Sequence, residues 1–285
     1  VSSSSPPPTI ALALQQAAAQ GLARIDAQIL LLHALDRSEA GRAWLITHDT
    51  EPLTLAQAAL WQDLCRRRLD DEPVAYLTGH KEFFGLNLQV DARVLDPRPD
   101  TETLVEWALD LMPEEQAMRV VDLGTGSGAI ALALKSQRPQ ARVLAVDASE
   151  QALAVAQANA ERLQLALEFA RGSWLEPLAG ERFALIVSNP PYIREDDEHM
   201  PALRHEPRQA LTSGADGLDD LRAIVAQAAA HLERGGWLLM EHGWDQAQAV
   251  AALLEQSGFT RIEHRQDLSG TARCTGGQWP LAAAA

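Results

Sequence analysis

The chain is short of cysteine, lysine and aromatic residues. Among its 285 residues there are two cysteines, Cys65 and Cys274. Two thiols cannot make a disulfide framework or a cysteine-rich zinc site, and they suit a reducing compartment. Lysine occurs only at Lys81 and Lys135, so arginine carries nearly all the positive charge. That charge is itself in deficit: 24 Lys and Arg against 39 Asp and Glu leave −15. Such a balance argues against broad, salt-driven binding to a phosphate backbone, which needs clustered cations. No apolar run reaches the ~18 residues of a membrane span, and the N-terminus lacks the basic flank of a secretory signal. A cytoplasmic location with no membrane partner is therefore expected.

What is present is a 47% hydrophobic composition, enough for a core spread over about two domains at roughly 150 residues each. The opening Val-Ser-Ser-Ser-Ser-Pro-Pro-Pro reads as a disordered tail over 1–8. Residues 9–72 read as a helical domain, because Ile29, Leu32, Leu35, Leu60 and Leu64 recur at three- and four-residue spacing. One helix opens near Ile25 and runs toward Gly41. Another is capped by Thr54 and ends in Arg66-Arg67-Arg68, a solvated helix end whose cations favour the dipole. Residues 73–97 are punctuated by Pro73, Gly79 and Gly85 and alternate over 86–90, which predicts a β-hairpin linker. Asp100 or Thr101 is expected to cap the helix that follows, over 104–112.

From 98 to 285 the chain alternates strand and helix. Strands are expected at 120–123, 143–146, 183–187 and 237–241, with helices at 130–134, 151–163 and 218–232 between them. This order predicts an α/β domain built on a mostly parallel, doubly wound sheet. Gly124-Thr125-Gly126-Ser127-Gly128 joins the first of these strands to its helix. Its glycines permit a sharp turn and close approach to a nucleotide. Asp147 ends the next strand, where a carboxylate can accept from both hydroxyls of a ribose. Together they point to an adenosine-containing cofactor, with the loose dinucleotide spacing of Gly124, Gly126 and Ala129 leaving NAD open. A phosphate-binding P-loop is excluded, since no Gly-Lys-Ser or Gly-Lys-Thr follows.

Asn189-Pro190-Pro191-Tyr192 follows a strand directly, so it faces the same crevice beyond the strand ends. Two prolines fix the backbone and remove two N–H donors. The Asn189 side-chain oxygen and the Pro190 carbonyl remain as rigid acceptors, with the flat Tyr192 beside them. Such a site suits a planar –NH₂ group, whose nitrogen is a poor nucleophile until it is oriented and its developing charge is offset. A hydride-transfer enzyme has no use for it. An exocyclic amine of adenine or guanine would fit as well as a carboxamide, but the charge of −15 and the lack of a basic tract nearby weigh against nucleic acid.

With these motifs the chain resembles class I S-adenosylmethionine methyltransferases bearing Asn-Pro-Pro-Tyr. More closely, it resembles the HemK/PrmC family of peptide chain release factor glutamine methyltransferases. The likeness includes Glu72-Pro73-Val74-Ala75-Tyr76-Leu77-Thr78-Gly79, Glu82-Phe83-Phe84-Gly85-Leu86, Arg98-Pro99-Asp100-Thr101-Glu102, Asp122-Leu123-Gly124, Glu206-Pro207, Asp216-Gly217-Leu218 and Glu241-His242-Gly243. It implies an N-terminal helical bundle, a β-hairpin linker and a Rossmann-like, seven-stranded methyltransferase domain. It further implies transfer of a methyl group from S-adenosylmethionine, leaving S-adenosylhomocysteine and needing no metal, to the glutamine amide nitrogen of the Gly-Gly-Gln motif in class-1 release factors. By the same resemblance Gly124, Thr125, Gly126, Ser127, Gly128, Asp147, Trp174 and Asn189 hold the cofactor, with Trp174 against the adenine. Asn189, Pro190, Pro191 and Tyr192 hold the glutamine, with Asn189, Pro190 and Tyr192 as the catalytic set, and the helical domain helps a monomeric enzyme to dock the release factor. Ser173, Asp96 and His205 depart from residues common in relatives. The chain's own Gly276-Gly277-Gln278 is expected to be a coincidence within a final strand or turn.

Overall fold

The computed structural model describes residues 6–281, so the first five residues of the expected tail lie outside it. The chain forms two compact units, residues 1–79 and 80–285.

The first unit is helical. Its helices are α1 (Ile10–Ala19), α2 (Arg24–Ala34), α3 (Arg42–Thr47), α4 (Leu55–Leu69) and α5 (Val74–Thr78). Their apolar faces close on Ile10, Leu30, Leu31, Leu45, Trp61 and Leu64. Thr54 caps α4 as its sequence indicates. Its hydroxyl accepts from the Gln57 N–H, and the Gln57 side chain accepts from the Thr54 N–H, so two orphan donors are satisfied together. The triple arginine at the end of α4 is fully engaged: Arg66 pairs with Asp63, Arg67 with Glu72 and Arg68 with Asp26. Helix α2 stops well short of Gly41. Asp36 takes a left-handed φ of 55°, and only a short 3₁₀ turn at Ser38–Ala40 precedes the glycine.

The boundary between the units also differs from the expected linker. Residues 74–78 are helix α5, with Leu77 in the core of the first unit, because Pro73 starts the turn and Gly79 ends it at φ 77°. The hairpin is confined to β1 (His80–Phe83) and β2 (Leu86–Gln89). Helix α6 (Glu102–Leu111) follows a 3₁₀ turn at Pro99–Thr101, and neither Asp100 nor Thr101 caps it. Thr101 is already helical in φ and ψ, and its hydroxyl is used elsewhere.

The second unit is a seven-stranded sheet. Its strands and helices are β3 (Arg119–Leu123), α7 (Ala129–Gln137), β4 (Arg142–Asp147), α8 (Glu150–Leu163), β5 (Glu168–Arg171), β6 (Phe183–Ser188), α9 (Asp219–His231), β7 (Leu232–Glu241), α10 (Ala247–Gln256), β8 (Thr260–Gln266) and β9 (Ala272–Gln278). The spatial order is β5-β4-β3-β6-β7-β9-β8. Only β9 runs against its neighbours. The winding runs from β3 out to β5 and then reverses to β6, which puts the switch point between β3 and β6, where open α/β sheets bind ligands. Register decides what meets there. Leu123 pairs with both Val146 and Ser188, and Ser188 pairs with Met240. Gly124, Asp147, Asn189 and Glu241 therefore leave the sheet side by side.

Gly276-Gly277-Gln278 is part of the interior sheet. A Cβ at Gly276 would collide with the side chains of Leu239 and Trp107 and with the Leu238 carbonyl, while the Gln278 amide donates to the Gly235 carbonyl at 2.8 Å. Packing explains the glycine. Gly276→Val is expected to destabilise the fold by about 1–3 kcal/mol through overpacking. A denaturant melt checks this, and unchanged stability would show that the strand can shift to make room.

Candidate active site

The glycine loop is held from below by one carboxylate and from the side by another. Buried Asp122 accepts from the Thr125 hydroxyl at 2.6 Å and from the Ala131 N–H at 3.2 Å. Asp147 accepts from the Gly126 N–H at 2.9 Å and from the Ser149 N–H at 2.8 Å. The loop takes positive φ at Gly124, Gly126 and Gly128. A Cβ at Gly128 would press on Leu132 and Ala156, and one at Gly124 on the Trp174 ring. These glycines thus serve close packing as well as backbone conformation.

Two cavities lie beyond the strand ends. The first is lined by Gly124, Gly126, Asp147, Ser149, Trp174, Asn189 and Pro191, among others. The second is lined by Leu95, Arg98, Asn189, Pro190, Tyr192 and Leu203, among others. Asn189, Leu95 and Ala210 line both. The structure thus divides the Asn-Pro-Pro-Tyr segment: Pro191 faces the glycine-loop cavity, Pro190 and Tyr192 face the second, and Asn189 stands at the junction. Three residues expected at the cofactor do not line the first cavity. Thr125 turns its hydroxyl to Asp122, Ser127 is buried with its carbonyl on Asn159, and Gly128 packs against α8.

The first cavity fits an adenosyl group on its own geometry. Glycine backbone forms one wall, the Trp174 ring lies over Gly124, and Asp147 offers carboxylate oxygens at the rim. Ser173 also lines it. The second cavity has largely apolar walls around Asn189 and Tyr192. Arg98 is fixed there by an ion pair with buried Glu206, whose other oxygen accepts from the Asp96 N–H at 3.2 Å. Asp96 in turn pairs with Lys81 at 3.2 Å. Its departure from an apolar residue is thereby matched by one of the chain's two lysines.

Profiles of two families match the chain: the PrmC N-terminal domain over residues 10–79 and the methyltransferase small domain over residues 101–216. A release factor glutamine methyltransferase of Xylella fastidiosa is 50% identical over 272 residues, covering 94% of this chain and 98% of that protein. One from Bordetella pertussis is 50% identical over 260 residues, covering 90% and 95%. This chain belongs to the release factor glutamine methyltransferase family. Its fold is shared more widely. A Pyrococcus furiosus methyltransferase of solved structure has a TM-score of 0.56 at 17% identity, covering 77% of this chain and all of that one. A T. thermophilus 16S rRNA methyltransferase solved with AdoMet and guanosine has a TM-score of 0.52 at 22% identity, covering 70% of this chain and 49% of that one.

Several residues outside the expected site set stand behind its motifs. Thr101 accepts from the Asn189 side-chain N–H at 3.1 Å. Glu241 accepts from the Tyr192 hydroxyl at 3.3 Å. Gln246 donates to the Tyr192 carbonyl at 3.0 Å, and Gly217 leaves no room there for a side chain. Asn159 joins the β2 backbone at Gln89 to the glycine loop at Ser127. None of these contacts is local in sequence. Of the two histidines near the motif, His199 is exposed and sits on Asp197, which does not poise it as a base.

Burial sets the charges. It pushes the Asp122 carboxyl up to about 7 against the opposing bonds from Thr125 and Ala131. It pushes Glu241 up to about 7 against Thr101 and Tyr192, and it raises Asp147 and Tyr192. Between about pH 4 and pH 7 the folded chain keeps protons on Asp122 and Glu241 that the unfolded chain releases. Their stabilising contribution is full at the acid end and is lost as pH rises to the folded values, on the order of a few kcal/mol together. Asp122→Asn is expected to reduce the fall in unfolding free energy between pH 4.5 and 8. An unchanged fall, measured by denaturant titration, would show that Asp122 does not titrate in that window.

Proposed function

We propose that the chain transfers a methyl group from S-adenosylmethionine to the side-chain amide nitrogen of the glutamine in the Gly-Gly-Gln motif of class-1 peptide chain release factors, in support of translation termination. The observation that carries this reading is the pair of cavities joined at Asn189, one bounded by the glycine loop and Asp147, the other by Pro190 and Tyr192. The reading includes a cytoplasmic, monomeric enzyme whose helical unit helps to dock the release factor. Among the described residues no helix is long and apolar enough to cross a membrane.

S-adenosylmethionine, when bound, would supply a sulfonium methyl open to in-line attack by the amide nitrogen, with S-adenosylhomocysteine as the leaving group. Gly124, Gly126, Asp147 and Trp174 would hold it: the glycines by close approach, Asp147 by accepting from the ribose hydroxyls, and Trp174 by its ring face. Asn189 and Pro190 act on the substrate. An amide nitrogen shares its lone pair with its carbonyl and is a weak nucleophile. Two fixed acceptors hold its N–H groups in place and offset the positive charge that grows as the new bond forms. Asn189 is prepared for this, because its own N–H is already given to Thr101 and its oxygen is left for the substrate. Tyr192 packs beside the carboxamide, held by Gln246 and Glu241. Glu206 is occupied by Arg98 and the Asp96 backbone, so no side chain is assigned as a strong base. Water takes the amide proton once methylation has acidified it.

Labelled S-adenosylmethionine with a purified release factor, its Gln→Ala variant, duplex DNA and ribosomal RNA tests the substrate. Label is expected on the release factor only and is lost with the Gln→Ala variant; label on nucleic acid would overturn the reading. Asn189→Ala is expected to lower kcat by about 10²–10³-fold, the scale for losing one aligned polar contact in a transition state, with an unchanged thermal melt. Asp147→Ala is expected to weaken cofactor binding by about 10–100-fold, as for loss of charge-assisted hydrogen bonds. Calorimetric titration with S-adenosylmethionine reads this directly, and an unchanged Kd would remove Asp147 from the cofactor site.

A further inference from the structure

Asn189 can present either its oxygen or its NH₂ to the second cavity, and only the oxygen can receive a substrate N–H. Something must fix that choice. The Asn189 Nδ2 donates to Thr101 Oγ1 at 3.1 Å. The Thr101 hydroxyl, having accepted, must send its single proton elsewhere. It lies beside the carboxylate of Glu241, which leaves the sheet level with Asn189 because Ser188 and Met240 are in register. Glu241 is 1% exposed. Its Oε1 accepts from the Tyr192 hydroxyl at 3.3 Å, while its Oε2 is buried with no hydrogen-bond partner of ordinary geometry. A buried carboxylate is costly.

We propose that Glu241, acting through Thr101, is the positioning residue that sets the polarity of Asn189, and that its ionised form is the competent one. This rests on the role given above to Asn189. A carboxylate can only accept. It orients the Thr101 proton toward itself, which leaves the Thr101 oxygen to accept from Asn189 and the Asn189 oxygen to face the substrate. Protonated, Glu241 can donate to Thr101. The Thr101 proton is then free to point at Asn189, the amide turns over, and an NH₂ group confronts the substrate NH₂. The same carboxylate, by accepting from Tyr192, fixes the ring on the other side of the cavity. The charged and titratable groups around Glu241 are Asp100, which opposes its ionisation, Arg273, which favours it, Tyr192, and Cys274 on β9. Arg273 is itself held by Asp267 at 2.9 Å and Asp100 at 3.2 Å.

Two readouts test this. In the release factor assay, Thr101→Val is expected to lower kcat about 10–100-fold with the Kd for S-adenosylmethionine unchanged, and Thr101→Ser to recover activity to within about threefold, on the scale of a lost second partner. The wild-type kcat is expected to fall on the acid side of about pH 7, and Glu241→Gln to be slow and without that limb. The second readout needs no substrate. The Asn189 side-chain NH₂ resonance, assigned by its loss in Asn189→Ala, is expected to shift between pH 6 and 8 in the wild type and to stay fixed in Glu241→Gln. Full activity in Thr101→Val, an acid limb retained by Glu241→Gln, or an NH₂ signal that titrates identically in both would overturn the inference. Were the wild type inactive on the release factor, the substrate reading would fail, while the resonance would still decide whether Glu241 governs Asn189.

Discussion

Register between four parallel strands is the constraint on which the site depends. β3 pairs level with β4 and β6, and β6 pairs level with β7, at their carboxyl ends. A slip of one residue in any of these pairs would turn the emerging side chain to the other face of the sheet. The buried apolar residues that hold the register, Val121, Leu123, Val146, Ile186, Leu238 and Met240, belong to a single core. Packing far from any ligand thus determines that Asp147 meets the glycine loop and that Asn189 stands between two cavities.

That core also exacts a polar compromise. Asp122 and Glu241 are buried carboxylates at strand ends, and each has one oxygen without a hydrogen bond. Both would be easier to bury as neutral groups. Asp122 answers for its burial by anchoring Thr125 and the start of α7, so its role is to hold the loop in shape. Glu241 anchors no backbone in this way. Its neighbours are Tyr192 and Thr101, both of which touch the proline-bearing segment or its asparagine. Stability and the orientation of Asn189 therefore pull its protonation in opposite directions.

The alternation of strands and helices is readable because β3, β4 and β6 are short apolar runs and Ser149 caps α8 directly after β4. The glycine loop and Asn-Pro-Pro-Tyr were readable because their chemistry is local: positive φ, missing N–H donors, an acid directly after a strand. β5 was passed over. It is a four-residue edge strand that opens on Glu168 and closes on Arg171, with no residue fully buried, so it carries no hydrophobic run to notice. α5 was hidden in a stretch whose proline and glycines suggested only a hairpin. Thr101 looked like a helix cap because capping is the commonest local use of such a residue, whereas its partners Asn189 and Glu241 are distant in sequence. Asn159 gave no signal at all, although it ties β2 to the glycine loop.

The division of the proline segment between two cavities bears on how one motif would serve the two ligands of the proposed reaction. Pro190 and Pro191 are adjacent, yet one faces each cavity. With φ fixed at both positions, the segment cannot swing as a unit toward either ligand. Asn189 is anchored from behind by Thr101, and the Tyr192 carbonyl by Gln246. The segment between the two cavities is therefore held at both ends, with Asn189 lining both of them. On the proposed reading, reaction across this segment would gain from position rather than from acid–base strength, which agrees with the commitment of His199 to Asp197 and of Glu206 to Arg98. The chain's own Gly-Gly-Gln cannot enter it, because its glutamine amide is bound to the Gly235 carbonyl at the far side of β7. On the proposed reading the second cavity would take a glutamine side chain free to reach Asn189, a demand met by a glycine-flanked loop and not by a residue already paired in a sheet.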